Sequence, residues 1–117
     1  FENVPKIKRK LDIAKDYCAA VKKGMMDAVR YGTGKNAKVV GLSISGKTGT
    51  AQNPQGGDHA WFVCFAPSEK PKIALVVMVE HGGGGADVAA PIAGKILAEI
   101  FDRKSKPQMD TEIKREN

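Results

Sequence analysis

The stretch that most constrains the fold of this 117-residue chain is residues 41–52, Gly-Leu-Ser-Ile-Ser-Gly-Lys-Thr-Gly-Thr-Ala-Gln. It supports two incompatible backbones: a phosphate-binding loop that ends at Thr48, or an extended strand that runs through residues 47–50. Both backbones would place a cation and hydroxyl groups beside an anionic ligand. The residue types alone therefore do not separate the two, and the flanking sequence has to decide.

The phosphate loop is formally complete, because Gly41 and Gly46-Lys47-Thr48 match the pattern G-x-x-x-x-G-K-[ST]. Such a loop opens a helix whose N-terminus holds the phosphates. The nine residues after Thr48 contain three glycines and a proline, which oppose a helix. Residues 42–45 alternate apolar and polar, which is typical of a half-buried strand. A nucleotide-binding module on residues Gly41 to Thr48 therefore remains only an alternative.

Three ordered blocks carry a resemblance to a known family. The run Lys-Thr-Gly-Thr-Ala-Gln at 47–52 precedes His-Ala-Trp-Phe-Val-Cys-Phe-Ala-Pro at 59–67 and Val-Glu-His-Gly-Gly at 79–83. Together they resemble the class B, elongation-type penicillin-binding proteins, in which a K-[TS]-G strand lines the site of acyl transfer. The resemblance covers about residues 13–101. It implies an α+β fold of the serine β-lactamase and transpeptidase type.

The same resemblance implies a role for each residue of the strand. Lys47 would lie near the serine of the family's middle motif and would add positive potential for a substrate carboxylate. Thr48 and Thr50 would direct their hydroxyls at that carboxylate, and Gly49 would let the substrate backbone approach. The Thr50 amide would donate to the oxyanion. No cofactor and no metal are implied.

Two motifs of that family are absent from these 117 residues. No serine has a lysine three positions later, and no Ser-x-Asn occurs. We therefore expect a C-terminal fragment of a peptidoglycan D,D-transpeptidase, inactive alone because the nucleophile and its lysine base are missing. A non-catalytic penicillin sensor is a further alternative.

The resemblance implies partners and a location as well. The partners are the peptidoglycan stem peptide ending in D-Ala-D-Ala, β-lactams, the rest of the transpeptidase domain, a glycosyltransferase and elongation-complex proteins. The location is the extracytoplasmic side of the bacterial inner membrane, with the anchor outside this chain. Self-association is expected too, because the strand from Ile73 to Val79 would present an unpaired apolar edge.

The periodicity of the chain predicts three regions: a basic lead-in at 1–11, a folded segment at 12–103 and a disordered tail at 104–117. The folded segment is predicted to contain a helix, three antiparallel strands and a second helix, with one helix on each face of the sheet. The strands are expected at 38–50, with a possible interruption at Gly41, at 60–66 and at 73–79.

Two aspartates are candidate helix caps, Asp12 for a helix to Tyr31 and Asp87 for a helix to Arg103. The first helix carries an apolar stripe at helical spacing, which predicts that it faces the core. Cys18 lies on that stripe and Cys64 in an apolar strand, so both are expected to be buried thiols.

The net charge of +6 is concentrated in residues 1–38, where ten Lys/Arg outnumber four Asp/Glu by six. A basic cluster such as residues 6–10 can bind nucleic acid or an anionic membrane surface. No aromatic residue is interleaved with it, so a solvated segment is favoured and no nucleic acid is expected. His59 is expected to form a hydrogen bond at a strand start, and Trp61 to be a core or interface aromatic.

Overall fold

A computed structural model describes residues 4–105 of the chain. The elements in chain order are helix α1 (Lys15–Arg30), a short 3-10 helix (Lys35–Ala37), strands β1 (Ser45–Ala51), β2 (His59–Ala66) and β3 (Ile73–Val79), a π-helical turn (Gly85–Ala89) and helix α2 (Ala90–Ser105). Of the predicted tail, Lys104 and Ser105 continue α2, and residues 106–117 lie outside the described residues. No helix in the described range is long and apolar enough to cross a membrane.

The three strands form one antiparallel sheet in the order β1-β2-β3. Thr48 lies opposite Phe62, which lies opposite Val77, so these three side chains share a face of the sheet. Phe62 is fully buried there. Helix α2 covers this face with Ala93 and Leu97, which belong to the same hydrophobic core.

Helix α1 packs mainly against β1. Its Val29 enters the core beside Phe62. Nearer the N-terminus of α1, the carbonyl of Lys22 accepts a hydrogen bond from Ser45 Oγ at 3.5 Å. Ser45 pairs with Phe65, whose side chain lies on the face opposite Phe62. α1 thus reaches the Phe65 face through its middle and the Phe62 core through its C-terminal end, while α2 covers the Phe62 face. A helix on each face of the sheet confirms the predicted α+β arrangement.

The N-terminal half of α1 differs from the sequence prediction. The helix begins at Lys15 after Ala14, so Asp12 is two residues too early to cap it, and no side chain caps it. Tyr17 and Val21 of the predicted core stripe are 71% and 64% exposed, and Cys18 is exposed rather than buried. The stripe is present, but no described element packs over its first two turns. The periodicity of the sequence identifies the apolar face of the helix. It does not show whether another element packs against that face.

The starts of β1 and of the second helical segment also differ from the sequence prediction, and in both cases a glycine determines the backbone path. Gly41 has a φ of +76°, and the turn it makes brings Val39 and Leu42 into an isolated bridge. β1 therefore begins at Ser45 and not at Lys38. The second helical segment starts at Gly85, so Asp87 lies inside its first turn and is not its cap. A carboxylate in that turn still interacts favourably with the helix dipole.

Candidate functional site

Residues 47–50 lie within β1, at an edge of the sheet. β2 pairs with one side of β1, and no described strand pairs with the other. A phosphate loop would require a helix to begin near Lys47, and the chain there is extended. The nucleotide-binding hypothesis on residues Gly41 to Thr48 is therefore wrong.

The four predicted site residues alternate between the two faces of β1. Thr48 and Thr50 share the face of Phe62, while Lys47 and Gly49 lie on the face of Trp61. The ammonium of Lys47 nevertheless donates a 2.7 Å hydrogen bond to the carbonyl of Thr48. Its charge is thereby held close to the strand backbone. Within the described part of the chain, Lys47 forms no ion pair with a carboxylate.

Thr48 has a hydroxyl partner that the sequence did not suggest. The side-chain oxygens of Thr33 and Thr48 lie 2.9 Å apart. Thr33 follows α1 in a tight turn, where the backbone N–H groups of Gly32 and Gly34 both donate to the carbonyl of Ala28, at 3.1 and 2.9 Å. A threonine between two glycines after a helix was the only available signal. This turn brings a second hydroxyl to the edge strand.

Thr50 also has a partner outside the strand. The backbone N–H of Gly85, at the start of the π-helical turn, donates to Thr50 Oγ at 3.4 Å. Gly85 lies so close to the sheet that a Cβ there would clash with the carbonyl oxygens of Trp61 and Gly49. Since the Thr50 oxygen accepts this bond, its own proton is free to be donated.

His59 and His81 lie near the C-terminal end of β1. The Nδ1 atom of His59 accepts a 3.0 Å hydrogen bond from the backbone N–H of His81, which confirms the predicted hydrogen-bonding role at the start of β2. Trp61 is 37% exposed on the face opposite the core. Near it on that face, Val63, Val76 and Met78 are also exposed.

Residues 2–98 match the family model described as the penicillin-binding protein transpeptidase domain. The chain is 35% identical over 109 residues to the peptidoglycan D,D-transpeptidase MrdA of Haemophilus influenzae, covering 78% of this chain and 17% of that protein. It is 39% identical over 92 residues to the peptidoglycan D,D-transpeptidase PbpA of Mycolicibacterium smegmatis, covering 68% of this chain and 18% of that protein.

Solved structures agree with this assignment. The imipenem acyl-enzyme complex of penicillin-binding protein A from M. tuberculosis superimposes with a TM-score of 0.63 at 32% identity. The match covers 79% of this chain and 21% of that one. The chain therefore spans about a fifth or less of the length of these relatives. On the family match, the fold and the elongation-type relatives together, this chain belongs to the transpeptidase family of the class B penicillin-binding proteins.

Proposed function

We propose that the chain is the part of a peptidoglycan D,D-transpeptidase that supplies the substrate-binding edge strand. The reaction is transfer of a stem-peptide acyl group through a serine ester, with release of the terminal D-alanine. The observation that carries the proposal is the position of the Thr48 and Thr50 hydroxyls on one face of β1, close to the ammonium of Lys47. β1 is an edge strand whose outer side pairs with no described strand.

The hydroxyls are suited to a carboxylate because the oxygen of each can accept a hydrogen bond from another part of the chain. Thr50 accepts from Gly85, so its proton can be donated to a carboxylate oxygen. When Thr33 donates to Thr48, the Thr48 proton is free in the same way. Lys47 adds a positive charge close by. The substrate carboxylate is the C-terminus of D-Ala-D-Ala, and the β-lactam carboxylate takes its place in an inhibitor.

The backbone of β1 supports the oxyanion role of the Thr50 amide. The Thr48 carbonyl accepts a hydrogen bond from the Lys47 ammonium. This contact favours a carbonyl that points to the outer edge of the sheet and not toward β2. Alternate residues of a strand turn their backbone groups to the same side, so the Thr50 N–H would also face outward. An N–H at that edge can donate to the oxygen of the attacked carbonyl. Loss of one such donor typically costs about 100- to 1,000-fold in kcat.

The nucleophilic serine and its lysine base would come from the rest of the transpeptidase domain. The exposed apolar residues Trp61, Val76, Met78 and Tyr17 favour a large partner surface of that kind, because soluble proteins rarely leave extended apolar patches open. By itself the chain is therefore predicted to be inactive. The parent protein would act outside the cytoplasmic membrane, beside a glycosyltransferase and elongation-complex proteins.

The test uses the complete protein that carries this sequence and measures covalent labelling by a fluorescent penicillin. We expect Lys47→Met and Thr50→Val to slow acylation about 10- to 100-fold, since each removes a hydrogen bond to a charged group. Lys70→Met is the matched control, because Lys70 is exposed in the turn between β2 and β3.

Three outcomes are informative. Slow acylation in both site variants with a normal Lys70→Met supports the proposal. Acylation without any cross-linked peptidoglycan product would favour the penicillin sensor. Acylation of Lys47→Met and Thr50→Val at the rate of the unaltered protein would contradict the role of β1.

A further inference from the structure

Two histidines to which the acyl transfer assigns no role are in contact near the C-terminal end of β1. His59 begins β2 opposite Ala51, and His81 follows β3. Their ring centroids are 4.9 Å apart, with the planes tilted by 53°. The contact joins the loop after β1, residues 52–58, to the glycine run after β3, residues 82–85.

The hydrogen bonds of this pair define where each ring carries its proton. The Nδ1 atom of His59 accepts from the backbone N–H of His81, so it is unprotonated. The Nδ1 atom of His81 lies 3.0 Å from the carbonyl of Gly57, which can only accept, so a hydrogen bond between them requires a proton on this nitrogen. The Asn53 side-chain nitrogen lies farther from the same His81 atom, at 3.4 Å. The two rings thus require opposite states at Nδ1.

The backbone around His81 has an unfavourable conformation that these contacts offset. His81 has a φ of +53°, a left-handed conformation uncommon outside glycine although histidine is enriched there. The loop also fits closely around it, because a Cβ on Gly56 would lie only 2.9 Å from His81 Nδ1. Such local strain persists where the surroundings hold it in place.

The glycine run connects the histidine pair to the proposed carboxylate site. The N–H of Gly83 donates to the carbonyl of Asp58 at 2.9 Å. Two residues later, the N–H of Gly85 donates to Thr50 Oγ. Residues 82–85 have no side chains to fix their path. Besides its packing on the backbone of Gly49 and Trp61, the position of Gly85 therefore depends on how His81 and Gly83 are held.

We propose that His59 and His81 are positioning residues that hold the glycine run so that Gly85 orients the Thr50 hydroxyl. The inference rests on the proposed function for the role of Thr50, and it adds two residues that touch neither the substrate nor the reacting atoms. Loss of the pair would weaken substrate binding more than it would slow the acyl transfer itself, because the Thr50 hydroxyl contacts the carboxylate.

The sharpest variants are His59→Asn and His59→Gln. The Asn side-chain oxygen can occupy the position of Nδ1 and accept from His81, whereas the Gln oxygen corresponds in position to Nε2. In the complete protein, we expect His59→Gln to raise the noncovalent dissociation constant of a β-lactam about three- to tenfold. His59→Asn should stay within about twofold. The acylation rate constant should change less than the dissociation constant in both.

A spectroscopic measurement tests the pair independently of any activity. In the 117-residue chain labelled with 15N-histidine, the Nδ1 shift should be that of an unprotonated nitrogen for His59 and of a protonated one for His81. His59→Gln should also speed hydrogen exchange of the Gly85 amide, and His59→Asn should not.

Equal effects of His59→Asn and His59→Gln on binding would overturn the proposal, because a packing role does not depend on the position of one acceptor. The proposal would also be overturned if the 15N shifts showed Nδ1 to be protonated in both histidines or unprotonated in both. Absence of β-lactam acylation in the unaltered complete protein would instead contradict the proposed function, and the exchange of Gly85 would then decide the histidine pair alone.

Discussion

The side-chain oxygens of Thr33 and Thr48 lie 2.9 Å apart and join the turn after α1 to the middle of β1. A hydroxyl carries one proton and two lone pairs, so the partner of Thr48 determines where the Thr48 proton points. Thr33 belongs to none of the three sequence blocks that carry the family resemblance. The family resemblance identifies the strand that carries Thr48. The structure adds Thr33, whose hydroxyl orients the hydroxyl of Thr48.

We expect Thr33→Val in the complete protein to raise the β-lactam dissociation constant about three- to tenfold, because Thr48 loses its hydroxyl partner. Thr33→Ser keeps a hydroxyl and should restore binding. The measurement is stopped-flow acylation over a range of β-lactam concentrations, which separates binding from the acylation step. Identical constants for the Val and Ser variants would show that Thr33 does not act through its oxygen.

Two glycines offer a matched pair for a stability test. A Cβ on Gly46 would lie 2.5 Å from Cζ of the fully buried Phe62, whereas nothing lies within 4 Å of one on Gly24 in α1. We expect Gly46→Ala to lower the free energy of unfolding by about 1–3 kcal/mol through overpacking. Gly24→Ala should raise it by about 0.5–1 kcal/mol through helix propensity. Urea unfolding of both variants gives the values, and equal shifts would contradict the packing around Phe62.

The two cysteines should differ in reactivity with a thiol reagent at pH 8. Cys18 is exposed, whereas Cys64 is 4% exposed and burial raises the pKa of its thiol to about 11. The thiolate is the reactive form, so the folded 117-residue chain should label quickly at Cys18 and at Cys64 only after denaturation. Cys18→Ser is the control, and rapid labelling of that variant would contradict the burial of Cys64. Protection of Cys18 in the complete protein would support the coverage of α1 by the rest of the domain.

The raised pKa of Cys64 also makes stability depend on pH. The folded state retains the thiol proton up to about pH 11, while an unfolded thiol loses it near its ordinary pKa of 9.0. The unfolded state therefore binds fewer protons in this window, and the free energy of unfolding should fall as pH rises from 9 to 11. The contribution is fully present below pH 9. Cys64→Ala should show a shallower fall, and an unchanged slope would contradict this role.

The outer edge of β3 and the sheet face beside it predict self-association of the isolated chain. Val76 and Met78 are 60% and 44% exposed, and no described strand pairs with the outer side of β3. Exposed apolar edges of this kind pair with other chains. Sedimentation should show association that increases with concentration, and Val76→Lys should reduce it. A compact monomer at high concentration would count against the prediction.

Particular residues show why sequence reasoning succeeded for the sheet and failed elsewhere. The period-two pattern and the glycines after Thr48 placed Lys47 on a strand, because both are local properties of the chain. The burial of Tyr17 and Cys18 was predicted wrongly, since it depends on which element packs over them. The contact of Thr33 with Thr48 joins residues 15 positions apart, and no local pattern encodes it.

The hydrogen bond from the Lys47 ammonium to the Thr48 carbonyl has a consequence for solubility. A charged side chain on an edge strand obstructs unwanted pairing with other chains. A second strand that approached β1 would have to displace the ammonium, whereas a ligand with its own carboxylate would attract it. β3, whose seven residues Ile-Ala-Leu-Val-Val-Met-Val carry no charge, has no such protection. The two outer edges of the sheet therefore differ, because a lysine ammonium lies against the backbone of β1 and β3 carries no charged side chain.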